Sequence, residues 1–337
     1  MMSNLLIDLE NLKTVDGYST HFMDAEIWTP VIQRLCRERG IMITDIWAGT
    51  AGTFPTFILD RKFVIKFFGP LFGGADSYKI ETSVNSLLAQ FPGIPAARIL
   101  ECGPISPNVN NWQFILFNYL PGQSYREDLA KITDPDRQAV AFRIGEILHI
   151  LHSLPVPESL ASLFPPDPAL YRARHNNWFL ARLRCAQPQS PAGLGLPARL
   201  AGQAADFLYK SREDADIRSP LHLIHADMTQ EHILGDFSHG HWQINGLIDF
   251  GDCMTGDLFY ELAPLHLDFF DCNKRLLVKF LEGYQARDFP ISGFARQCLC
   301  AALQHQFNVF SGVFERHPEL AEIGNLDQLA QTLWELD

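Results

Sequence analysis

Two acidic motifs lie close together in the second half of this chain, and they constrain its fold more than any other feature. LIHADMTQEHIL spans residues 223–234, and INGLIDFGD ends at residue 252. In each motif a short apolar run leads into an aspartate, Asp227 in the first and Asp249 in the second. Such runs are typical of buried strands, so we expect both carboxylates at strand ends where they face one pocket. Phosphoryl transfer needs this arrangement, because one carboxylate orients the attacking hydroxyl group and the other holds a metal ion.

The segment between the two aspartates favours a β-hairpin. GDFSHGHW, at residues 235–242, is rich in glycine, aspartate, serine and histidine, and such clusters are typical of turns. It would join Ile233-Leu234 to the apolar run at residues 244–248 in a two-stranded ribbon with one carboxylate on each side. The alternative is that Asp227 caps a turn and Asp249 begins a loop, as a single aspartate often does.

At these residues the chain resembles the aminoglycoside phosphotransferase and choline kinase family, which is related to protein kinases. The His-x-Asp loop of that family is matched by His225 and Asp227, and its metal-binding triplet by Asp249-Phe250-Gly251. The resemblance implies that Asp227 is the catalytic base and that His225 braces its loop. It implies that Asp249 binds the Mg²⁺ ion that bridges the phosphates of ATP. The following Gly256-Asp257 also matches the family and is interpreted as scaffolding.

One position departs from the pattern of that family. The family has a metal-binding asparagine five residues after the catalytic aspartate, and this chain has His232 there. Mg²⁺ prefers oxygen ligands, so an imidazole would weaken a second Mg²⁺ position or favour Mn²⁺. Three interpretations stay open: His232 binds metal, Gln230 or Glu231 turns inward instead, or the imidazole contacts a phosphate. The remaining alternative is that His232 only forms hydrogen bonds within the loop.

A glycine-containing segment in the first third of the chain is a candidate phosphate-covering flap. ITDIWAGTAGTFPTFIL, at residues 43–59, places Gly49, Thr50 and Gly52 between two β-rich runs. Backbone N–H groups at such a hairpin tip can approach phosphate. The resemblance assigns these three residues to the ATP site, although an ordinary turn fits the same letters.

Lys66 is the candidate phosphate clamp. It lies in RKFVIKFFG, an apolar run with the alternation of a β-strand, where a lysine is costly unless its ammonium group finds anions. The resemblance implies contact with the α- and β-phosphates and an ion pair with Glu81, which begins a helical pattern with one apolar face. The alternatives are a lysine at a strand edge and a solvated glutamate in a first helical turn.

WQFILFNYLPGQSY, at residues 112–125, is a β-type run that ends at Pro121-Gly122. The resemblance makes it the hinge, where the carbonyl group of Asn118 and the N–H group of Leu120 would read the adenine. The side chains of these two residues are expected to matter little. An ordinary strand that enters a turn fits the same sequence.

The predicted fold class is α+β, a bilobal protein-kinase-like fold. A small N-terminal lobe with an antiparallel sheet, residues 1–119, is followed by a larger, mostly helical lobe, residues 120–337. In the resembling family a helical insertion, here at about residues 155–220, shapes the acceptor pocket. The candidate pocket residues are His175, Trp178, Arg182, Asp268 and Asp271, and the packing of the insertion is the preferred role for Trp178.

Composition narrows the possible partners. The chain has 27 Lys and Arg against 39 Asp and Glu, a formal net charge of −12, which disfavours a general affinity for nucleic acid or anionic membranes and permits a cationic acceptor. The seven cysteines show no Cys-x-x-Cys spacing, which favours reduced thiols and a cytoplasmic location. No apolar run approaches the roughly 18–20 residues of a membrane span, and no signal peptide is indicated.

Together these residues predict a small-molecule kinase. It would move the γ-phosphoryl group of ATP, with Mg²⁺ or Mn²⁺, to a hydroxyl group of an aminoglycoside-like compound, an amino alcohol or a sugar. The alternative is a catalytically weak or inactive kinase-like module that binds nucleotide, suggested by His232 and the sparse glycines. A protein kinase is disfavoured, because no Ala-Pro-Glu-like end to an activation segment follows Gly251. The sequence predicts no particular oligomeric state.

Overall fold

The chain folds as two compact units. The computed structural model describes residue 9 and residues 12–50, 52–106, 111–185, 193–211, 220–286 and 293–336. The first unit consists of Met1–Gln123, Leu234–Asp236 and Ile244–Asp252, and the second of Ser124–Ile233, Phe237–Gln243 and Cys253–Asp337. The predicted lobes were residues 1–119 and 120–337, so Leu234–Asp236 and Ile244–Asp252 were expected in the second unit.

The first unit is built on an antiparallel sheet of five strands. The strand order is β1-β2-β3-β5-β4, and each neighbouring pair is antiparallel, which confirms the predicted antiparallel sheet. Its elements are helices α1 (Val15–His21), α2 (Ala25–Glu38) and α3 (Gly74–Leu88) and strands β1 (Ile46–Ala48), β2 (Thr56–Leu59), β3 (Phe63–Phe68), β4 (Ile99–Pro104) and β5 (Gln113–Asn118).

The two faces of this sheet are covered by different residues, because successive side chains of a strand point to opposite sides. Helix α2 begins at the N-cap Asp24, which accepts a hydrogen bond from the N–H group of Glu26. Its buried residues pack with Ile65 and Phe67 of β3 in one core cluster. Val64 and Phe68 belong to a second cluster. The alternation that the sequence of β3 predicted is therefore confirmed.

The second unit is mostly helical, as predicted. Helix α5 begins after Thr133, whose hydroxyl group accepts a hydrogen bond from Asp136 N. The elements here are α4 (Tyr125–Asp128), α5 (Asp134–Ser153), α6 (Glu158–Leu163), α7 (Pro168–Leu183), α8 (Ala198–Ala201), α9 (Ala204–Lys210), β7 (His222–Ile224), β10 (Met254–Gly256), α10 (Leu258–Pro264), a π-helical turn (Leu265–Phe269), α11 (Lys274–Tyr284), α12 (Phe294–Gln304), α13 (Val313–Arg316), a 3₁₀ turn (Pro318–Glu322) and α14 (Leu326–Trp334).

The predicted hairpin between the two acidic motifs is present. Strands β8 (Ile233–Ser238) and β9 (His241–Leu247) pair, with β6 (Gln123–Ser124) beside β8. The turn is shorter than predicted, because only His239 and Gly240 lie outside the strands. Both have positive φ, 51° and 83°, which is the conformation of a two-residue type I′ turn.

Two further outcomes concern the predicted insertion and the membrane. Helices α6 to α9 lie within residues 155–220, whereas residues 186–192 and 212–219 are outside the described residues. Across the described ranges, the structure has no helix that is long and apolar enough to cross a membrane.

Candidate functional site

Lys66 lies at the centre of an ion-paired group in the first unit. Its Nζ atom is 2.8 Å from Oε2 of Glu81 and 2.7 Å from Oδ1 of Asp249. The alternation of β3 turns Lys66 to the same face as Phe68, and Nζ lies 5.3 Å from the centre of that ring. The predicted Lys66–Glu81 contact is confirmed, and the strand-edge alternative is wrong because Lys66 is only 6% exposed.

Electrostatics keeps this lysine charged. Burial alone would lower the pKa of Lys66, but the neighbouring carboxylates of Asp249 and Glu81 outweigh burial and raise the pKa above its ordinary value. A buried ammonium group is stable only with such partners. The ammonium group of Lys66 therefore keeps its positive charge beside Asp249, whose side chain is 30% exposed.

Glu81 is placed differently from its prediction. Helix α3 begins at Gly74, so Glu81 lies in the middle of the helix and is 3% exposed. The alternative of a solvated glutamate in the first turn is wrong. The helix begins early because Gly73 takes the left-handed conformation at the N-cap, with φ 70°, a conformation that glycine adopts without strain.

Asp249 is held by the backbone that follows β9. The N–H group of Leu247 donates to the carbonyl group of Pro95, at 2.8 Å, and Phe250–Asp252 form a 3₁₀ turn. Asp249 itself has φ 66°, which is uncommon for a residue with a side chain and often marks a functional site. A Cβ atom at Gly251 would lie 3.2 Å from Oε2 of Glu81, so a larger residue there would crowd the ion-paired group.

The candidate flap follows strand β1. The N–H group of Gly49 donates to the carbonyl group of Thr56, at 2.8 Å, and closes the base of the β1–β2 connection. Thr50 and Gly52 are exposed, whereas Ala51 is outside the described residues. The assignment of Gly49, Thr50 and Gly52 to phosphate binding stays a prediction.

The candidate hinge follows β5. The side-chain oxygen of Asn118 accepts a hydrogen bond from Arg98 N, at 2.6 Å, and its Nδ2 group donates to the carbonyl group of Tyr119. The side chain of Leu120 lies against Gly246. Both side chains thus have contacts within the first unit. The predicted adenine contacts of the two backbones remain untested.

In the second unit, strand β7 leads into the His-x-Asp loop through a backbone kink. Ala226 is fully buried and has φ 68°. Its N–H group donates to Oε1 of Glu261, at 3.1 Å, and the N–H group of His225 donates to Oε2, at 2.7 Å. Nε2 of His305 lies 3.1 Å from the carbonyl oxygen of Ala226. Glu261 and His305 therefore hold the kink that precedes Asp227 from two sides.

The ring of His305 has a defined tautomer. Its Nδ1 atom accepts a hydrogen bond from Phe307 N, at 3.1 Å, so the proton is on Nε2 and is donated to Ala226. Burial, with the nearby Arg182, lowers the pKa of His305 to about 3. The imidazole is therefore neutral at physiological pH, and this hydrogen bond is retained.

Asp227 contacts both histidines of the motif. Its N–H group lies 3.4 Å from Nδ1 of His225, which is fully buried. This contact fits the predicted bracing role of His225. Nδ1 of His232 lies 2.7 Å from the carbonyl oxygen of Asp227 and 3.6 Å from Oδ2. Nδ1 of His232 therefore donates to the backbone of the residue that the sequence predicts as the base.

The neighbours of His232 along the loop have structural partners. Gln230 donates from its amide group to the carbonyl groups of Asp268 and Phe269, and Glu231 forms an ion pair with Arg126, at 2.6 Å. The interpretation in which one of them replaces the asparagine of the family is therefore not favoured.

The candidate acceptor residues also have partners within the second unit. Asp268 accepts hydrogen bonds from Arg126 and from Gln230 N, and Asp271 binds Arg316 and His317. The ring centre of Trp178 lies 5.1 Å from that of His175, in agreement with its preferred packing role.

Oxygen ligands for a magnesium ion are few. Within the described residues, no group of three or more His, Cys, Asp or Glu side chains is arranged to hold a metal ion. A Mg²⁺ ion that enters with ATP needs only one or two carboxylates, because phosphate oxygens and water complete its octahedron. The partly exposed carboxylate of Asp249 beside Lys66 fits that requirement.

Comparison with known proteins decides the family. The sequence profile of the phosphotransferase enzyme family matches residues 53–298, a range that includes Lys66, Glu81, Asp227 and Asp249. The chain belongs to this family. It is therefore a phosphotransferase, and the matched range covers both motifs from which the chemistry was predicted.

Solved structures agree on the fold of this phosphotransferase. The GDP complex of wild-type aminoglycoside 2'-phosphotransferase-IIIa superposes with a TM-score of 0.67 and 16% identity, over 91% of this chain and 97% of that chain. The GDP and kanamycin complex of APH(2")-IIIa superposes with a TM-score of 0.65 and 17% identity, over 90% of this chain and 98% of that chain. At such identities the likeness concerns the fold, which is the predicted protein-kinase-like one.

A curated relative is larger than this phosphotransferase. Lysine-specific demethylase JMJ21 of Arabidopsis thaliana is 24% identical over 286 residues, which are 69% of this chain and 30% of that protein. The chain thus spans less than a third of the length of that relative.

The carboxylate of Glu261 is expected to be the main anchor of the His-x-Asp loop in this phosphotransferase. Glu261→Gln replaces one acceptor oxygen with an NH₂ group that faces a backbone N–H group. We expect the free energy of unfolding to fall by about 1–3 kcal/mol, the cost of an unsatisfied buried donor. Urea denaturation measures it. Glu282→Gln is the control, because Glu282 is 47% exposed and pairs with Lys279 at the surface; equal stability of the two variants would contradict the anchoring role.

Proposed function

We propose that this phosphotransferase transfers the γ-phosphoryl group of ATP to a hydroxyl group of a small molecule. The observation that carries the proposal is the ion-paired group of Lys66, Glu81 and Asp249 in a chain whose His-x-Asp loop has a kinked, doubly anchored backbone. Lys66 would clamp the α- and β-phosphates, and Glu81 would fix its position. Phosphoryl transfer is catalysed mainly by such positioning and charge neutralisation.

Asp227 is the proposed base. Its side chain is 22% exposed and lies beside His232, so it can accept the proton of an acceptor hydroxyl group and orient that group. His225 supports it through the N–H group of Asp227. The loop geometry supports this role. Glu261 accepts a hydrogen bond from the N–H group of Ala226, the residue before Asp227, and His305 donates one to its carbonyl group.

Asp249 would hold Mg²⁺ or Mn²⁺, and the ion would neutralise the charge on the β- and γ-phosphates. Nζ of Lys66 and Oδ1 of Asp249 are 2.7 Å apart. Bound ATP would therefore either break this ion pair or contact the lysine while the pair is kept. The adenine contacts proposed for Asn118 and Leu120 are made by backbone groups. In the described residues, the N–H group of Leu120 has no protein acceptor, which supports that assignment.

Aminoglycosides, amino alcohols and sugars are the acceptor classes that the family resemblance implies. Among the similar structures, one is a complex with GDP and kanamycin, another a ternary complex with streptomycin and ATP, and a third a complex with gentamicin. Fold alone does not select among acceptors. ADP release should therefore be measured across a panel of hydroxyl compounds with ATP and with GTP, each with Mg²⁺ or Mn²⁺.

A thermal-shift series tests nucleotide binding separately. A ligand that binds the folded state raises the melting temperature in proportion to the logarithm of its concentration. We expect a larger shift with ATP and Mg²⁺ together than with either alone. A shift without ADP release for any acceptor would identify the alternative, an inactive nucleotide-binding module, and no shift would contradict the proposal.

His232 is proposed as a metal ligand or as a phosphate contact. We expect His232→Asn to keep or improve Mg²⁺-dependent turnover, because an asparagine oxygen suits Mg²⁺ and its amide group can still reach the carbonyl oxygen of Asp227. His232→Ala should lower turnover. Steady-state rates with Mg²⁺ and Mn²⁺ give the comparison, and an inert His232→Ala variant would exclude this residue from the site.

A further inference from the structure

Arg174, on helix α7, is surrounded by aromatic rings. Its guanidinium carbon lies 4.8 Å from the ring centre of Phe164 and 5.5 Å from those of Tyr171 and Trp178. Nη2 donates to the carbonyl oxygen of Thr255, at 3.0 Å. Aromatic faces hold the planar group in one orientation, so little side-chain freedom remains to be lost on binding a ligand.

The charge of Arg174 is not balanced by any carboxylate of the described residues within 4 Å, in contrast to that of Arg126. In those residues the Nε atom of Arg174 is buried without a hydrogen-bond partner, and so is the hydroxyl oxygen of the adjacent Thr255. Thr255 is fully buried. A partly buried cation without a carboxylate is costly, and it stands out in a chain of net charge −12.

The surroundings of Arg174 reach the catalytic loop. Phe164 and Trp178, which form two of its aromatic walls, pack against a cluster that contains Ala226 and Tyr260. Ala226 is the residue immediately before Asp227. Arg174 is itself only partly buried.

We propose that Arg174 binds a carboxylate group of the acceptor, so that the substrate class is a hydroxy acid or hydroxy amino acid. The inference rests on the proposed function, because it concerns the compound whose hydroxyl group Asp227 activates. A guanidinium group matches the two oxygens of a carboxylate with parallel N–H donors. A cationic amine at this position would be repelled.

Matched pairs of acceptors test this substrate class. Homoserine and 3-aminopropanol share a skeleton and differ by the carboxylate, as do serine and ethanolamine. In the pair that is phosphorylated faster, we expect kcat/KM to be about 10- to 100-fold higher for the compound with the carboxylate. This ratio corresponds to the free energy of a hydrogen bond to a charged group. Arg174→Gln should remove most of that ratio and leave kcat/KM for the amino alcohol nearly unchanged.

Two further variants keep the test interpretable. Arg174→Lys retains the charge and loses the planar pair of donors, so it should show an intermediate ratio even if Arg174→Gln folds poorly. Arg172→Gln, at an exposed position of the same helix, should keep the wild-type ratio. For each variant, the rise in melting temperature on addition of ATP is also measured. A rise equal to that of the wild type shows that the nucleotide site is intact.

The outcomes separate the two proposals. Transfer only to acceptors without a carboxylate, such as kanamycin or ethanolamine, would overturn the inference and leave the proposed function intact. An equal loss for both members of a pair in Arg174→Gln would also overturn it. Absence of phosphoryl transfer to every acceptor would overturn both, and a ratio that collapses only in the Arg174 variants would support the carboxylate site.

Discussion

Asp227→Asn is expected to reduce turnover by about 10²–10⁴, the contribution of a general base, while ATP binds as tightly as in the wild type. Asparagine keeps the size of the side chain but cannot accept the proton of the hydroxyl group. The loop itself should persist, because Glu261 and His305 contact backbone groups of the preceding residues. His232 likewise contacts the backbone carbonyl group of Asp227.

Single-turnover rates with a saturating acceptor, together with ATP affinity by calorimetry, give this comparison. Asp206→Asn is the control, since Asp206 is exposed on helix α9 of the same unit. Its rates should match those of the wild type. Full turnover in Asp227→Asn would remove the residue from the role of base.

Lys66→Met is expected to abolish ATP binding and to destabilise the protein by about 3–5 kcal/mol, the cost of breaking a buried ion pair by removing one partner. Without the ammonium group, the carboxylates of Glu81 and Asp249 lose their shared counter-ion, and both lie within 2.8 Å of it. Methionine fills the same space, so the loss comes from charge and not from a cavity.

Chemical denaturation and a titration with ATP and Mg²⁺ measure the two effects. Lys79→Met is the matched control, because Lys79 lies on α3, is 61% exposed and pairs with Asp76 only at 3.7 Å. A surface pair of this kind contributes at most about 1 kcal/mol. ATP affinity in Lys66→Met equal to that in Lys79→Met would contradict the role of Lys66 as phosphate clamp.

The sequence predicted those parts of the site that depend on local patterns. The alternation of β3 predicted the side of the sheet to which Lys66 turns, and the resemblance to the kinase family implied that Glu81 is its partner. A hydrophobic run followed by a polar loop was enough to predict that β7 leads to Asp227. For Lys66 and Asp227, the signal is a pattern of apolar residues next to a charged residue whose burial would be costly.

The parts that were missed depend on contacts between distant residues. Glu261 lies in YELAPL and His305 in LQHQF, and neither segment carries a local sign that its side chain binds the backbone near Asp227. A charged residue within an apolar helix was the available signal for Glu261, since a fully buried carboxylate requires donors. The start of α3 was missed because Gly73 and Gly74 resemble a loop, and only the left-handed backbone of Gly73 begins the helix there.

Arg174 illustrates a different limit on sequence reasoning. The insertion was expected to shape the acceptor pocket, and His175, Trp178 and Arg182 were selected from it by residue type. The structure gives Arg182 two carbonyl acceptors, of Gly193 and His305, whereas Arg174, earlier on the same helix, donates to one, that of Thr255. Which arginine is paired depends on tertiary packing, so the spacing along α7 could not distinguish them.

Transfer of label from [γ-³²P]ATP to a hydroxyl acceptor, with the product identified as a phosphate monoester by mass spectrometry, tests the proposed chemistry most directly. We predict label on the acceptor with the wild-type protein and Mg²⁺, labelling that is slower by about 10²–10⁴ with Asp227→Asn, and reduced labelling with Asp249→Ala. Label that appears only as inorganic phosphate, or that reaches the acceptor equally well in these variants, would contradict it.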